Sequence, residues 1–146
     1  MSPITDGQIR AEVQEFWRSF TAKEKADFER RYLPTAVCFS ADGRRAEPAR
    51  LMWVRREREF FGPKSAVSAK LGAIHVQLLR ADLAVASYPF HFAVIRILPN
   101  GKRVKVDVPF ARTTQVFHQD PEGGLVIIHE HLSSGEPVNP TEMPSE

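Results

Sequence analysis

The second half of the chain is a succession of long strand-like segments joined only by short turns, and this pattern restricts the fold more than any other feature. Runs of alternating apolar residues predict strands near 66–80, 83–98, 102–118 and 124–133. Glycine, proline, asparagine and aspartate mark the turns between them. Because short connections join antiparallel neighbours, the pattern predicts a meander. Strands of this length usually contain bulges, and Gly72 and Pro89 are candidate positions for them.

The first part of the chain has helical periodicity. Thr5 and Gln8 have the spacing of a capping box, which places a helix start there. Apolar residues follow at three- and four-residue steps, namely Ile9, Val13, Phe16, Trp17 and Phe20. This stripe predicts an amphipathic first helix that packs on the sheet.

Two more helices and one short strand are expected before the long strands begin. Thr21 and Glu24 repeat the capping signal, so a second helix is predicted, with Phe28 and Tyr32 on its apolar stripe and its end at Pro34. Residues 35–40 then predict a short strand. Residues 48–61, which start with proline and end before Gly62-Pro63, predict a third helix.

Three N-terminal helices followed by an antiparallel sheet predict an α+β fold in which the helices cover one face of a curved, cone-shaped sheet, an α+β barrel. We expect one domain over residues 1–133 and a flexible, proline-containing tail over 134–146. The open end of such a cone is a natural place for a small ligand.

Composition and charge exclude several classes of protein. A formal net charge of +2 gives no bias toward nucleic acid or an anionic membrane. The arginines between Arg50 and Glu59 alternate with acids, which is typical of an ion-paired helix face. The single cysteine, Cys38, excludes an intrachain disulfide and is interpreted as a small buried hydrophobe. With neither a secretory signal nor an apolar run of membrane-spanning length in view, a soluble cytoplasmic protein is expected.

Two histidines end the last long strand. Strict alternation places His129 and His131 on the same face as Leu125 and Ile127, so two imidazoles finish an apolar face. They could donate hydrogen bonds in a pocket or transfer protons near neutral pH, or they could be structural groups at the backbone or at a subunit interface. A metal would need a third ligand, from His75, His91, His118 or a carboxylate. No second metal-spaced motif exists, so no metal is predicted.

Arg112 falls on the apolar face of its strand if the alternation is regular. A buried guanidinium needs an anion, which would be Glu130, Asp107 or an anionic ligand, so Arg112 is predicted to lie in the pocket or in an internal ion pair. A bulge near Pro109 would shift the register by one residue and place Gln115 there instead.

Tyr88 and Trp17 each combine a large ring with one polar atom. Both are candidates for the pocket lining; for Trp17 the pattern favours core packing, and for Tyr88 it leaves core and pocket open. The chain shows no phosphate-binding glycine loop, no nucleophile elbow and no paired-cysteine motif. Any chemistry is therefore expected to need no cofactor.

The closing hairpin carries a family resemblance. Residues 111–117, a turn, and residues 124–133 are similar to the last hairpin of SnoaL-like and kinase-association-like bacterial proteins of the nuclear transport factor 2-like superfamily, in which a tryptophan commonly stands at the position of Leu125. The order of elements matches over residues 6–133. The resemblance implies the cone fold and one of several functions, among them isomerase, cyclase, hydrolase and oligomerisation hub.

The resemblance does not extend to the catalytic groups of ketosteroid isomerases. Their carboxylate base, tyrosine and protonated carboxyl find no matching trio here, and Thr35 stands where many relatives have an acid.

The leading hypothesis is a SnoaL-like homodimer that binds an apolar or aromatic molecule. The molecule would present a carboxylate or carbonyl to Arg112, His129 and His131, with Tyr88 and Trp17 beside it. If it is an enzyme, a histidine would transfer the proton and Arg112 would stabilise the oxyanion. The alternative is a non-catalytic association domain that forms homo-oligomers through the outer sheet face.

Overall fold

The computed structural model describes residues 2–40, 45–51, 65–122, 124–134 and 141–143. Within them lie two helices, α1 (Asp6–Thr21) and α2 (Lys25–Arg30). The strands are β1 (Tyr32–Phe39), β2 (Glu47–Pro48), β3 (Ala66–Leu71), β4 (His75–Arg80), β5 (Leu83–Ile97), β6 (Arg103–Gln119), β7 (Leu125–Ser134) and β8 (Thr141–Glu142). Residues 49–51 are also helical, as expected for the start of the predicted third helix; Pro48 belongs to β2 instead, and residues 52–61 lie outside the described residues.

The strands form one curved, unclosed sheet in the order β2-β1-β7-β6-β5-β3, with β4 also paired to β5 and β8 to β6. The predicted antiparallel meander from β5 to β7 is confirmed. β1 pairs with β7 in parallel, so the first strand of the chain lies beside the last long strand. The α+β fold with helices against a curved sheet is therefore confirmed.

Helix α1 forms for the predicted reason. The backbone N–H of Gln8 donates to the Thr5 hydroxyl at 3.2 Å, and the Thr5 N–H donates to the Gln8 side chain at 2.8 Å, which completes the capping box. Its apolar stripe is buried against the sheet together with Phe28 of α2. We call the sheet face under these helices the inner face and the opposite one the outer face. Burying each such aromatic side chain contributes roughly 1.5–3 kcal/mol.

The second capping box was predicted wrongly. Thr21 is the last residue of α1, and its hydroxyl donates to the carbonyl of Trp17 at 3.0 Å. Helix α2 starts after Glu24 without a side-chain cap and ends at Arg30. Tyr32 therefore begins β1 instead of continuing a helix, because the Arg31 carbonyl accepts the N–H of Ile127 and joins the chain to β7 at this point.

The strand predicted over residues 66–80 is interrupted at the expected irregularity. Leu71 pairs with Phe90 and His75 with Ser87, so the three residues between β3 and β4 lie opposite two residues of β5. Gly72 lies directly across from Pro89 and donates its N–H to the Pro89 carbonyl at 2.8 Å. A Cβ at Gly72 would stand 2.8 Å from the proline ring, so this close approach requires glycine.

The end of the chain adds a short pairing to the sheet. Thr141 and Glu142 of the segment predicted as a tail pair with Lys105 and Val104 of β6. No helix within the described ranges is long and apolar enough to span a membrane.

Candidate functional site

A bulge in β6 decides which side chains of that strand face inward. Phe90 pairs with Ala111 and Phe92 with Val108, so one residue of β5 faces both Pro109 and Phe110. After the bulge Thr113 and Gln115 point inward, 3% and 0% exposed, whereas Arg112 is exposed on the outer face. The strand therefore has the register predicted for a bulge near Pro109, which places Gln115 on the inner face. The prediction that Arg112 lies on the apolar face was wrong.

A second bulge shifts β7 in the same way. Val116 pairs with His129 and Phe117 with Ile127, which leaves Ile128 as an extra residue. Ile127 and Glu130 therefore both point inward, each 1% exposed. The prediction that His129 and His131 share a face with Ile127 is corrected: both lie on the outer face, with ring centroids 6.4 and 5.6 Å from Phe39.

The two bulges bring a continuous row of polar side chains onto the inner face, which we call the polar row. The Trp17 indole donates to the Tyr88 hydroxyl at 2.7 Å, and Tyr88 donates to the Gln115 carbonyl oxygen at 2.7 Å. The Gln115 amide then donates to one oxygen of Glu130 at 2.7 Å, and the Tyr32 hydroxyl donates to the other at 2.9 Å. Side chains of α1 and of four neighbouring strands thus form one continuous set of hydrogen bonds that includes the Glu130 carboxyl group.

The electrostatics of the row centre on Glu130. Burial raises the pKa of this carboxyl from 4.5 to about 7, although the hydrogen bonds from Gln115 and Tyr32 oppose the rise. Burial also raises the pKa of Tyr88 well above its ordinary value, and the nearby Glu130 charge adds to this. The Tyr88 phenol therefore stays a neutral donor, whereas the pKa of Glu130 lies near neutral pH, where a general acid or base is most effective.

One further polar atom lies next to the row. Thr113 stands two residues from Gln115 on the same face of β6, and it pairs with Tyr88 on one side and Leu132 on the other. Its hydroxyl oxygen is buried and has no hydrogen-bond partner among the described residues. Each member of the polar row, by contrast, has at least one partner.

The structure brings together two of the predicted site residues, Trp17 and Tyr88, and leaves three on the outer side. Arg112, His129 and His131 do not reach Glu130, and Asp107 contacts His91. Sequence reasoning missed Tyr32, which the helical pattern misplaced, and Glu130, which strict alternation assigned to the other face.

An open groove of about 560 Å³ lies between α1 and α2, but its charged side chains pair with one another, as Arg18 does with Glu15 and Glu24. Within the described ranges, no three histidine, cysteine, aspartate or glutamate side chains come together as a metal site.

No protein-family model and no curated protein sequence matches the chain. Solved structures do match it. A nuclear transport factor 2-like superfamily protein from Salmonella enterica is 21% identical with a TM-score of 0.65, over 90% of this chain and 91% of that one. The association domain of C. elegans CaMKII is 17% identical with a TM-score of 0.64, over 88% and 94%.

A protein from Catenulispora acidiphila, solved in complex with S-DNPA, is 12% identical with a TM-score of 0.67, over 88% of this chain and 91% of that one. At these identities the likenesses establish the fold. The resemblance of the closing hairpin to the nuclear transport factor 2-like superfamily is thereby confirmed as a shared fold.

Proposed function

We propose that this nuclear transport factor 2-like fold binds an apolar or aromatic small molecule on its inner face and that Glu130 exchanges a proton with it. The observation that carries the proposal is Glu130 itself. Its carboxyl is 1% exposed, contacts no cation within the described ranges, and has a pKa of about 7. A buried acid that titrates near neutral pH, among aromatic and aliphatic side chains, is typical of a proton-transfer site.

The rest of the polar row orients this carboxyl. Gln115 and Tyr32 each donate to one oxygen, Tyr88 donates to Gln115, and Trp17 donates to Tyr88. Each carboxyl oxygen retains a lone pair for a ligand, because each accepts one bond from these donors. Aromatic side chains around the row exclude water and bind the apolar body of the molecule. The chemistry assigned to the site needs no cofactor.

The polar row replaces the site first predicted for Arg112, His129 and His131. Those residues lie on the outer face, so the proton-transfer role passes from a histidine to Glu130. Trp17 and Tyr88 belong to the polar row, and we propose that they lie beside the ligand, as the sequence predicts. The Catenulispora acidiphila protein, which was solved in complex with S-DNPA, supports the proposal that this fold binds a small molecule.

The test uses N-phenyl-1-naphthylamine, an uncharged aromatic fluorophore, titrated between pH 5.5 and 8.5. An uncharged ligand beside Glu130 favours the neutral carboxyl, so we expect binding to weaken about 3- to 10-fold as pH rises through 7. Glu130→Gln should bind with no such pH dependence. His131→Gln, a change on the outer face of the same strand, is the matched control and should behave as wild type. Binding that is lost in the His131 variant, or that is independent of pH in wild type, would contradict the proposal.

A second candidate function is homo-oligomeric association through the outer face. Phe110, at the bulge of β6, is 62% exposed, and Val37 on the outer face of β1 is 37% exposed. Large exposed apolar side chains are common at interfaces, and the C. elegans association domain has the same fold. Native mass spectrometry would separate the two functions. A homodimer that releases a small organic molecule supports binding, and a larger ring that releases none supports association.

A further inference from the structure

We infer that the Thr113 hydroxyl contacts the bound molecule, and that this molecule is uncharged and carries one hydrogen-bonding oxygen, as a ketone, ester, ether or alcohol does. The inference rests on the proposed function and names the ligand class for that site. It goes beyond the polar row because Thr113 is not part of the row's hydrogen bonds.

The first step is the unpartnered hydroxyl. Thr113 is 3% exposed, and its Oγ1 has no hydrogen-bond partner among the described residues. A buried hydroxyl that lacks a partner destabilises a protein, so native structures retain few of them. The neighbouring polar side chains do have hydrogen-bond partners within the protein, since Tyr88 donates to Gln115.

The second step is the surroundings of that hydroxyl. On one side Thr113 adjoins the polar row, since Gln115 follows it on the inner face and Tyr88 pairs with it, and both bond to other members of the row. On its other side lie Ala111 of the same strand and Leu132 of β7, whose side chains cannot form a hydrogen bond. Phe90, which pairs with Ala111, adds an apolar ring to the same side. A molecule bound between these apolar groups and the polar row would supply the partner that the described residues do not.

The third step is charge. Among the described residues that are buried, Glu130 is the one carboxylic acid and none is a lysine, arginine or histidine, and the cation predicted for this face, Arg112, points outward. A carboxylate ligand would bring a second negative charge beside Glu130 into a region with no counter-charge. An uncharged molecule meets no such cost. Its oxygen can accept a hydrogen bond from Thr113 or donate one to it, because a hydroxyl does both.

The test compares three ligands of similar size: 2-acetylnaphthalene, 2-ethylnaphthalene and 2-naphthoate. Their affinities are measured by displacement of N-phenyl-1-naphthylamine at pH 8. For the wild type we expect the ketone to bind about 5-fold more tightly than the ethyl compound, the gain typical of one hydrogen bond, and 2-naphthoate to bind most weakly.

Three variants separate the Thr113 hydroxyl from other effects. Thr113→Val keeps the shape and removes the hydroxyl, so the ketone should lose its preference while the ethyl compound binds as before. Thr113→Ser should keep the preference. Thr114→Val is the matched control, because Thr114 lies on the outer face of the same strand and its hydroxyl is 3.3 Å from that of Ser87.

A second readout needs no ligand. Removing an unpartnered buried hydroxyl should raise the melting temperature of the empty Thr113→Val protein, and this measurement also confirms that the variant folds. A ketone preference that survives in Thr113→Val, or tight binding of 2-naphthoate, would overturn the inference. Failure of all three ligands to displace the fluorophore would instead count against the proposed function itself.

Discussion

The stability of this protein should fall as the pH rises from 5 to 8, because of one buried carboxyl. Below pH 4.5 Glu130 is protonated in both the folded and the unfolded chain and contributes no pH dependence. Between 4.5 and about 7 the unfolded chain releases this proton while the folded protein keeps it, so the free energy of unfolding decreases. Above pH 7 both states are ionised and the full difference has been lost.

The size of the effect follows from the pKa. At about 1.4 kcal/mol per tenfold change in acid dissociation constant, a rise from 4.5 to about 7 corresponds to about 3 kcal/mol. About a quarter of this is already lost at pH 5, so about 2.5 kcal/mol is lost between pH 5 and pH 8. For a chain of this length each kcal/mol changes the melting temperature by about 2–4 °C, so the wild type should melt about 5–10 °C lower at pH 8 than at pH 5 on this account alone. Glu130 is fully buried, so solvent does not screen the effect.

The assay is thermal and urea unfolding followed by circular dichroism at pH 5, 6, 7 and 8. Glu130→Gln removes the titration and keeps the shape, so the difference between wild type and variant isolates Glu130 from the histidines. Glu122→Gln, in an exposed turn, is the control and should follow the wild type. Glu15, whose pKa its hydrogen bond from Arg18 lowers, contributes only at more acidic pH. Parallel pH profiles for wild type and Glu130→Gln would refute the reasoning.

Two further substitutions test the fold around the site. Gly72→Ala should destabilise by about 1–3 kcal/mol because its methyl group would meet the Pro89 ring, whereas Gly7→Ala, with open space around it, should be neutral or stabilising in urea unfolding. Thr5→Ala should cost about 1 kcal/mol by removing the bond to Gln8, and Thr5→Ser should restore it; equal melting temperatures for the two Thr5 variants would exclude the capping role.

Local signals in the sequence predict most elements of this fold. The capping box at Thr5 and the apolar stripe after it locate α1, and the turn residues locate the ends of the long strands. These signals succeed because each depends on residues close together in the chain. The parallel pairing of β1 with β7 joins segments about a hundred residues apart, and no local pattern specifies it.

The candidate site was harder to predict, because each face assignment depends on counting residues along a strand. Pro109 indicates the bulge in β6, since proline cannot donate to the ladder, and it allowed Gln115 to be named as the alternative to Arg112. Nothing comparable marks Ile128, a residue with high strand propensity in an apolar run. Strict alternation therefore turned Glu130 outward and the two histidines inward, and only the tertiary pairing reverses them.

The bulge at Ile128 has a consequence for comparing this chain with its structural neighbours. The ladder keeps its partners on either side of the bulge, so Phe117 pairs with Ile127 and Gln115 with Glu130 across one extra residue. A related chain could lack that residue and still place an acid at the position of Glu130, one step earlier in its numbering. A gap of one residue is hard to locate at 12–21% identity. An alignment of this strand must therefore follow its pairing with β6 rather than residue identity alone. Otherwise it will match an inward acid with an outward histidine.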